Sequence, residues 1–533
     1  MAINDIYRDG MAAGWKVIDA ATLTRPLALR ADVAIIGSGA SGGVAAEVLS
    51  QAGLQILLIE EGALRTSASF KDMEESRAYR ELYQEGGGRT TADGAIAVLQ
   101  GRAVGGSTTV NWSSSFRTPG PTLAHWAEEH AVSGHSAAEM APWFAQMEHR
   151  LGIEPWAHAP NPNNDALRRG CAKLDWEVHV IPRNVRGCWN IGYCGLGCPV
   201  NAKQSMLVSA IPQALRNGAT LVHRLRARSF VHDGTQVQSL ICDALAEDGH
   251  SPTGVVVEAK ARCYVAAGGA INNPALLLRS ALPDPHRRLG RRTFIHPVCL
   301  SIAVMPEPVE AYYGAPQSVA SDEFQWSNGV TGAAGYKLEV APMLPGLSAG
   351  VLGHIGVPLR SSMEALPNSQ SILALLRDGF TPQSQGGQVR LAADGSPILD
   401  YEMSDYLWDG VRRAWLSMIE IQFAAGALRA RPAHSDAPDY TSWAQARQAI
   451  AALPLRKFRA ALFTAHLMGG CGMSDDARLG VVDSSGRHHQ IANLFVFDGS
   501  VFPTSIGANP QLSIFALTAK NATRLSRLLA QTA

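Results

Sequence analysis

Three groups of residues in this 533-residue chain have types and spacings suited to chemistry. The first is Gly37-Ser38-Gly39-Ala40-Ser41-Gly42, with Glu60 placed 23 residues after Gly37. Glycines at 37, 39 and 42 permit a tight turn and a close backbone approach to a pyrophosphate. Ala40 lies within that turn, the helix that follows it turns its N-terminus to the phosphates, and the acid at 60 suits ribose hydroxyls. The second group is His466, one of 16 histidines, set in Thr464-Ala465-His466-Leu467-Met468-Gly469-Gly470-Cys471. Such a small-residue loop lets backbone come close to a ligand, and an imidazole titrates near neutral pH, as a proton acceptor must. The third is Cys188, Cys194 and Cys198, crowded into eleven residues. Three thiolates suffice for a [3Fe–4S] cluster, whereas zinc would want a fourth ligand that no nearby His or Cys supplies. A structural cysteine-rich loop or a disulfide is the competing reading.

The elements that must position these residues can be read from periodicity. Val33-Ala34-Ile35-Ile36 is an apolar, β-branched run of the kind found in buried parallel strands, and a helix to Gly53 and a strand Ile56–Ile59 follow. Together they form a dinucleotide-binding βαβ unit, so the fold class is α/β with a Rossmann-type domain. Further strands are expected at 219–222, 228–232, 237–244 and 254–265. A helix with Pro274 at its first position is expected next, and a helix at 203–216 broken or kinked at Pro212. From residue 297 to 400 the pattern becomes short strands with Pro/Gly turns, and Asp394-Gly395 signals a hairpin. Helices are expected at 404–427 and 442–451, a strand at 494–497 and a last helix from near Pro510.

The domain scheme that results is discontinuous. Residues 1–160, 203–295 and 455–533 form the nucleotide-binding domain, 161–202 a Cys-rich loop segment, and 296–454 a substrate domain. That inserted domain is expected to be an antiparallel sheet flanked by helices. With 46% hydrophobic and 17% charged residues the chain is globular. Lys+Arg and Asp+Glu are both 46, which gives no sign of a nucleic-acid or anionic-membrane partner. No apolar run is long enough for a transmembrane segment, and the N-terminus lacks a signal-peptide core, so a cytoplasmic location is expected, with peripheral membrane association left open.

Four segments together resemble one family, the GMC (glucose–methanol–choline) oxidoreductases. Beside the βαβ unit, Gly101-Arg102-Ala103-Val104-Gly105-Gly106-Ser107 through Asn111 to Arg117 looks like that family's first signature. Gly268-Gly269-Ala270-Ile271-Asn272-Asn273-Pro274 resembles its second. Asp498-Gly499-Ser500-Val501-Phe502-Pro503 with Asn509-Pro510 resembles its closing flavin segment. The long-chain alcohol oxidase branch is the nearer match, through NWSSSFRTP, CGLGCP with Lys203-Gln204, and AHLMG.

The resemblance implies FAD in an extended channel, held by the glycines and Glu60 above and by Gly101, Gly105, Gly106, Ser107, Asn111, Gly268, Asp498, Gly499 and Pro510. Thr109-Val110 precede Asn111 where some relatives carry a flavin-linking histidine, so noncovalent FAD is expected. His466 is implied as the base or hydrogen-bond partner of the substrate oxygen and Asn509 as its partner, although an Asn before Pro510 also looks like a helix N-cap. The cysteine run resembles the cluster segment of FAD-dependent sugar dehydrogenases, with a different first spacing. His296-Pro297 reads as a turn where the chain leaves the nucleotide domain. The implied activity is oxidation of an apolar, long-chain or aryl alcohol to aldehyde or ketone, with electrons passed to O2 or a quinone-type acceptor. A lyase or decarboxylase on the same fold, of the hydroxynitrile lyase kind, is the alternative. Uncharged stretches at 298–305 and 351–357 favour an apolar substrate.

Overall fold

In the computed structural model, which describes residues 3–352 and 354–531, the βαβ unit lies at the centre of an eight-stranded sheet. Strand Leu27–Ile36 pairs in parallel with Ile56–Ile59 on one side and with Pro252–Ala266 on the other. Lys16–Asp19, Thr220–His223 and Leu494–Val496 extend the parallel part. Val237–Leu245 and Leu225–His232 continue it antiparallel at the other edge. Strand side chains alternate between faces. Val33, Ile35, Ile56 and Leu58 accordingly enter one core cluster, and Ala34, Ile36, Leu57 and Ile59 a second on the opposite face. Helix Ala40–Gln51 covers the first face together with the last helix, Gln511–Gln531. The sheet is buried on both sides, which is why its strands read as continuous apolar runs.

A six-stranded sheet forms the second layer. Its strands Tyr336–Val340, Ser369–Leu376 and Val298–Val304 are antiparallel neighbours, with Arg429–Pro432 and Leu462–Thr464 along the last of them. Helix Asp405–Ala424 buries Trp415, Met418 and Ile421 in this sheet's core. The sheet also recruits Ile96–Val98, paired in parallel with Leu462–Thr464, so two of its strands come from outside residues 296–454. A four-stranded sheet, which includes Arg291–Phe294, Met468–Gly469 and the hairpin Gly387–Leu391/Pro397–Asp400, completes the frame.

Both sequence-based expectations about proline shift. Helix Ala210–Arg216 starts late enough that Pro212 falls in its first turn, where its missing N–H breaks no hydrogen bond. Pro274 is instead inside helix Gly269–Arg279, because the Gly268-Gly269 turn tightens at once and helix begins at Gly269. In place of a strand, Val351 and Leu352 end one short helix and Val357 starts another, and Ile355 and Val357 are exposed. Among the described residues no helix is long and apolar enough to cross a membrane.

Candidate active site

One elongated cavity of about 810 Å3 runs from the Gly37 turn, past Gly101–Ser107 and Gly268, to Asp498, His466 and Asn509. At its nucleotide end the walls are backbone. Gly37 has φ +101°, and a Cβ there would lie 2.4 Å from the Ala267 carbonyl oxygen. A Cβ on Gly42 would lie 1.8 Å from the Gly37 oxygen, and one on Gly106 (φ +53°) 2.6 Å from Gly39 Cα. Only glycine permits these contacts. Of the residues expected to hold FAD, Gly42 and Gly105 do not reach the cavity, whereas the others line it. These two act from behind: Gly42 by its missing side chain, Gly105 by donating its N–H to Ser38 Oγ (3.0 Å).

Glu60 lines the cavity, yet much of its acceptor capacity is spent inside the fold. Ser38 N–H (3.0 Å) and Ser38 Oγ (2.6 Å) donate to one oxygen, and Gly62 N–H (2.8 Å) donates to the other. It therefore stitches the glycine turn to the end of the neighbouring strand. Asp498 does the same at the far end: Gly269 N–H (2.6 Å) and Asn273 Nδ2 (2.8 Å) donate to Oδ2, and Ser500 N–H (2.9 Å) to Oδ1. The Gly101 N–H donates to Ser107 Oγ (2.9 Å), and Asn111 Nδ2 to Gln511 Oε1 (2.7 Å), fastening the first signature segment to the last helix. A backbone cradle in which Gly37, Gly42 and Gly106 have no room for a Cβ, opening on a helix N-terminus, fits a flavin dinucleotide.

The other end of the cavity is assembled from distant segments. Chain 291–304 and chain 462–469 run antiparallel, with Phe294 opposite Met468 and Val298 opposite Phe463. The first segment crosses here from the four-stranded to the six-stranded sheet and the second crosses back, and the crossing points are His296 and His466. The histidine at 296, expected to be a simple turn, is 1% exposed and stands with Nδ1 3.3 Å from His466 Nδ1. Its φ of +45° lies in the left-handed region that a side chain disfavours. Asp378 holds that corner, accepting from Ile295 N–H (3.0 Å), His296 N–H (3.2 Å) and Tyr401 Oη (2.7 Å). Thr464 Oγ1 donates to the Ile295 carbonyl and accepts from His466 N–H (3.1 Å), tying the two loops together. Burial pushes His466 down to about 4, and burial, with His466 and Arg377 alongside, holds His296 well below the usual range. Both imidazoles are neutral at neutral pH.

Asn509 also lines the cavity, and its side chain is no N-cap: Nδ2 donates to Glu339 Oε2 (3.2 Å), while Oδ1 is buried without a partner in the protein. Glu339 is the residue the sequence reading did not single out. It lies on strand Tyr336–Val340, where Tyr336, Leu338 and Val340 enter the core and Lys337 and Glu339 face the other way. The signal was present as two charges two residues apart within an otherwise apolar strand. Glu339 is 0% exposed, and burial raises its carboxyl to about 7 against the pull of Lys337 and the Asn509 and Gln317 amides. Val298, Leu373, Leu375 and Phe463 supply apolar wall beside it.

The cysteines do not fit an iron–sulfur cluster. All eight are free, and among the described residues no three of His, Cys, Asp and Glu are disposed to hold a metal ion. Each thiol of the trio accepts from a different group: Cys188 from Asn190 N–H (3.4 Å), Cys194 from Arg183 Nη2 (3.5 Å) and Cys198 from Lys203 N–H (3.5 Å). The loop is held by Lys203 instead. Its buried Nζ donates to the carbonyls of Thr109 (2.6 Å), Asn111 (3.0 Å) and Cys194 (2.7 Å), fixing the cysteine segment to the first signature.

A glycine cradle on a parallel sheet, joined by one cavity to a histidine–asparagine end under a mixed sheet, defines a flavin-dependent oxidoreductase of CH–OH donors. The chain belongs to the GMC oxidoreductase family: residues 79–298 and 382–518 match that family's N- and C-terminal models. It is similar to a long-chain-alcohol oxidase of Arabidopsis thaliana, 28% identical over 91% of this chain and 66% of that protein. A GMC-type oxidoreductase of Sinorhizobium fredii is 30% identical over 93% of this chain and 94% of its own length. Among solved structures, a pyridoxine 4-oxidase superposes with TM-score 0.65 at 19% identity, covering 92% of this chain and 98% of that one. This last likeness is one of fold.

Proposed function

We propose that this protein oxidises an apolar alcohol, long-chain aliphatic or aryl, to its aldehyde or ketone. FAD is held noncovalently, since Thr109 and Val110 precede Asn111 and offer no imidazole for a flavin link. Bound in the cradle, it supplies the acceptor for the carbinol hydrogen and its electron pair, and O2 or a quinone-type carrier takes the electrons onward. The protein's own contribution lies in His466 and Asn509, which meet the alcohol oxygen as base or hydrogen-bond partner and as second polar contact. The observation that carries this reading is their position on one cavity with the glycine cradle, both with polar atoms uncommitted to the fold. The apolar wall at Val298, Leu373, Leu375 and Phe463 supports an apolar carbon chain, as does similarity to a plant long-chain-alcohol oxidase.

The test is anaerobic mixing of the FAD-loaded protein with a panel of aliphatic, aryl and polar alcohols. The reading expects the flavin to bleach with apolar alcohols first, and then to recover its colour on adding O2 or a quinone. Bleaching by none of them would overturn it.

A further inference from the structure

Two hydrogen-bond chains run through the interior and end at the cavity. In the first, Gly507 N–H donates to His296 Nε2 (3.0 Å). A neutral His296 must then carry its proton on Nδ1, the atom 3.3 Å from His466 Nδ1, and donate it there. His466, neutral in turn, has its proton on Nε2, the nitrogen left for the cavity. In the second chain, Ser114 Oγ donates to Gln317 Oε1 (2.7 Å), and Gln317 Nε2 donates to Glu339 Oε2 (2.7 Å), which also accepts from Asn509 Nδ2 (3.2 Å). An ionised carboxylate only accepts, so both amides turn their NH2 groups toward it. Asn509 Oδ1 and Glu339 Oε1 remain, buried and without partners, on residues that line the cavity. Buried acceptors in that state call for a donor from a ligand.

One chain thus ends in a donor and the other in acceptors. An alcohol hydroxyl accepts one hydrogen bond and donates another. We propose that His466 meets the substrate oxygen as a hydrogen-bond donor, held in that tautomer by His296 as a positioning residue, and that the hydroxyl proton leaves to Glu339 Oε1. The proposal rests on the alcohol-oxidising reading above. In the step, the O–H bond breaks and its proton converts the Glu339 carboxylate to a carboxylic acid. The carbinol C–H bond breaks with its electron pair going to FAD, so carbon is oxidised by two electrons and the cofactor reduced by two. For His466 to be the base instead, its proton would have to sit on Nδ1, facing the proton on His296 Nδ1. Moving that second proton to His296 Nε2 would set it against Gly507 N–H.

The groups facing Glu339 fix the sign of the pH dependence. Lys337, from the same strand, favours the ionised form, and Asp322, ion-paired with Lys337 at 2.6 Å, opposes it. The acceptor is competent when ionised, so the rate of flavin reduction rises as pH rises through about 7. A His466 base would place that limb near about 4.

The experiment measures anaerobic flavin reduction by alcohol across pH in wild type, Glu339→Gln, Glu339→Asp, His466→Ala and two His296 variants. Glu339→Gln should lose at least ~10²-fold in rate, the usual contribution of a positioned base, together with the limb. Glu339→Asp should keep the limb, and His466→Ala should be slow with the limb in place. His296→Leu should be slow, and His296→Gln, which can still accept from Gly507 and donate to His466, should recover most of the rate. A second arm needs no substrate: difference infrared spectra of the FAD-loaded protein should show a protonated-carboxyl band titrating near about 7, absent in Glu339→Gln. A limb that survives Glu339→Gln and disappears in His466→Ala overturns the proposal, as does a missing infrared band. If no alcohol reduces the flavin, the oxidation reading itself fails, whatever the infrared arm reports.

Discussion

The two ends of the cavity are built on different principles. At the nucleotide end the binding surface is main chain, brought close by side chains that are absent: Gly37, Gly39, Gly42 and Gly106 lie where added Cβ atoms would meet backbone or enter the ligand space. At the reacting end the surface is side chain, and its meaning lies in which atoms donate and which accept. His296, Glu339, His466 and Asn509 come from four separate stretches of chain and are held by hydrogen bonds across sheets. A cofactor that stays bound needs only a complementary cradle. A reacting alcohol needs a directed pair of contacts, and direction comes from the groups behind them.

This contrast can be broken most forcefully at the cradle. Gly42→Val puts a side chain into the Gly37 carbonyl, 1.8 Å away for the Cβ alone, and should yield protein with FAD content lowered about tenfold or more, or none that folds. Gly39→Ala sharpens the point: its Cβ would stand 3.7 Å from the nearest protein atom, Gly106 Cα, so fold and melting temperature should persist while flavin absorbance per protein falls. If both variants bind FAD normally, the backbone cradle is not the cofactor site.

At the other end, His466→Ala should leave FAD content intact and slow anaerobic flavin reduction by about 10²-fold or more. Near-normal reduction would remove His466 from the reaction. Asp378→Asn probes the corner beneath the histidines. The amide cannot accept all the bonds that the carboxylate takes from Ile295, His296 and Tyr401, so denaturant titration should show a loss of ~1–3 kcal/mol. The smallest effect is expected on the apolar wall. Val298→Ala should raise KM for a long-chain alcohol by about 15-fold at most, two carbons at ~0.8 kcal/mol each, with kcat little changed.

The same contrast explains what was legible in the sequence. The glycine turn is local: strand, turn, helix and acid follow one another within Ala31–Gly62, so their order in the chain is their order in space. His466 could be found because its loop of small residues is local too. The pairing of His296 with His466 could not, since it depends on Phe294 lying opposite Met468 and Val298 opposite Phe463, a register between strands about 170 residues apart. Glu339 was hidden in the same way: the YKLEV strand shows two charges on one face, but nothing local says that the face looks into a cavity beside Asn509. The cysteine run left two readings open in the sequence, a shared cluster and a structural loop. The loop turns the three thiols toward three different partners and leaves the organising role to Lys203, which close spacing alone could not show.

The central claim is that an alcohol meets the flavin at the His466–Asn509 end of this cavity. The most direct measurement is anaerobic stopped-flow reduction of the bound FAD by an apolar alcohol and by the same alcohol deuterated at the carbinol carbon, in wild type and in His466→Ala. The account predicts bleaching of the flavin, slower with the deuterated alcohol, and slower again with the isotope effect retained in the variant. A flavin that stays oxidised with every alcohol, or that is reduced equally fast in both proteins, would contradict it.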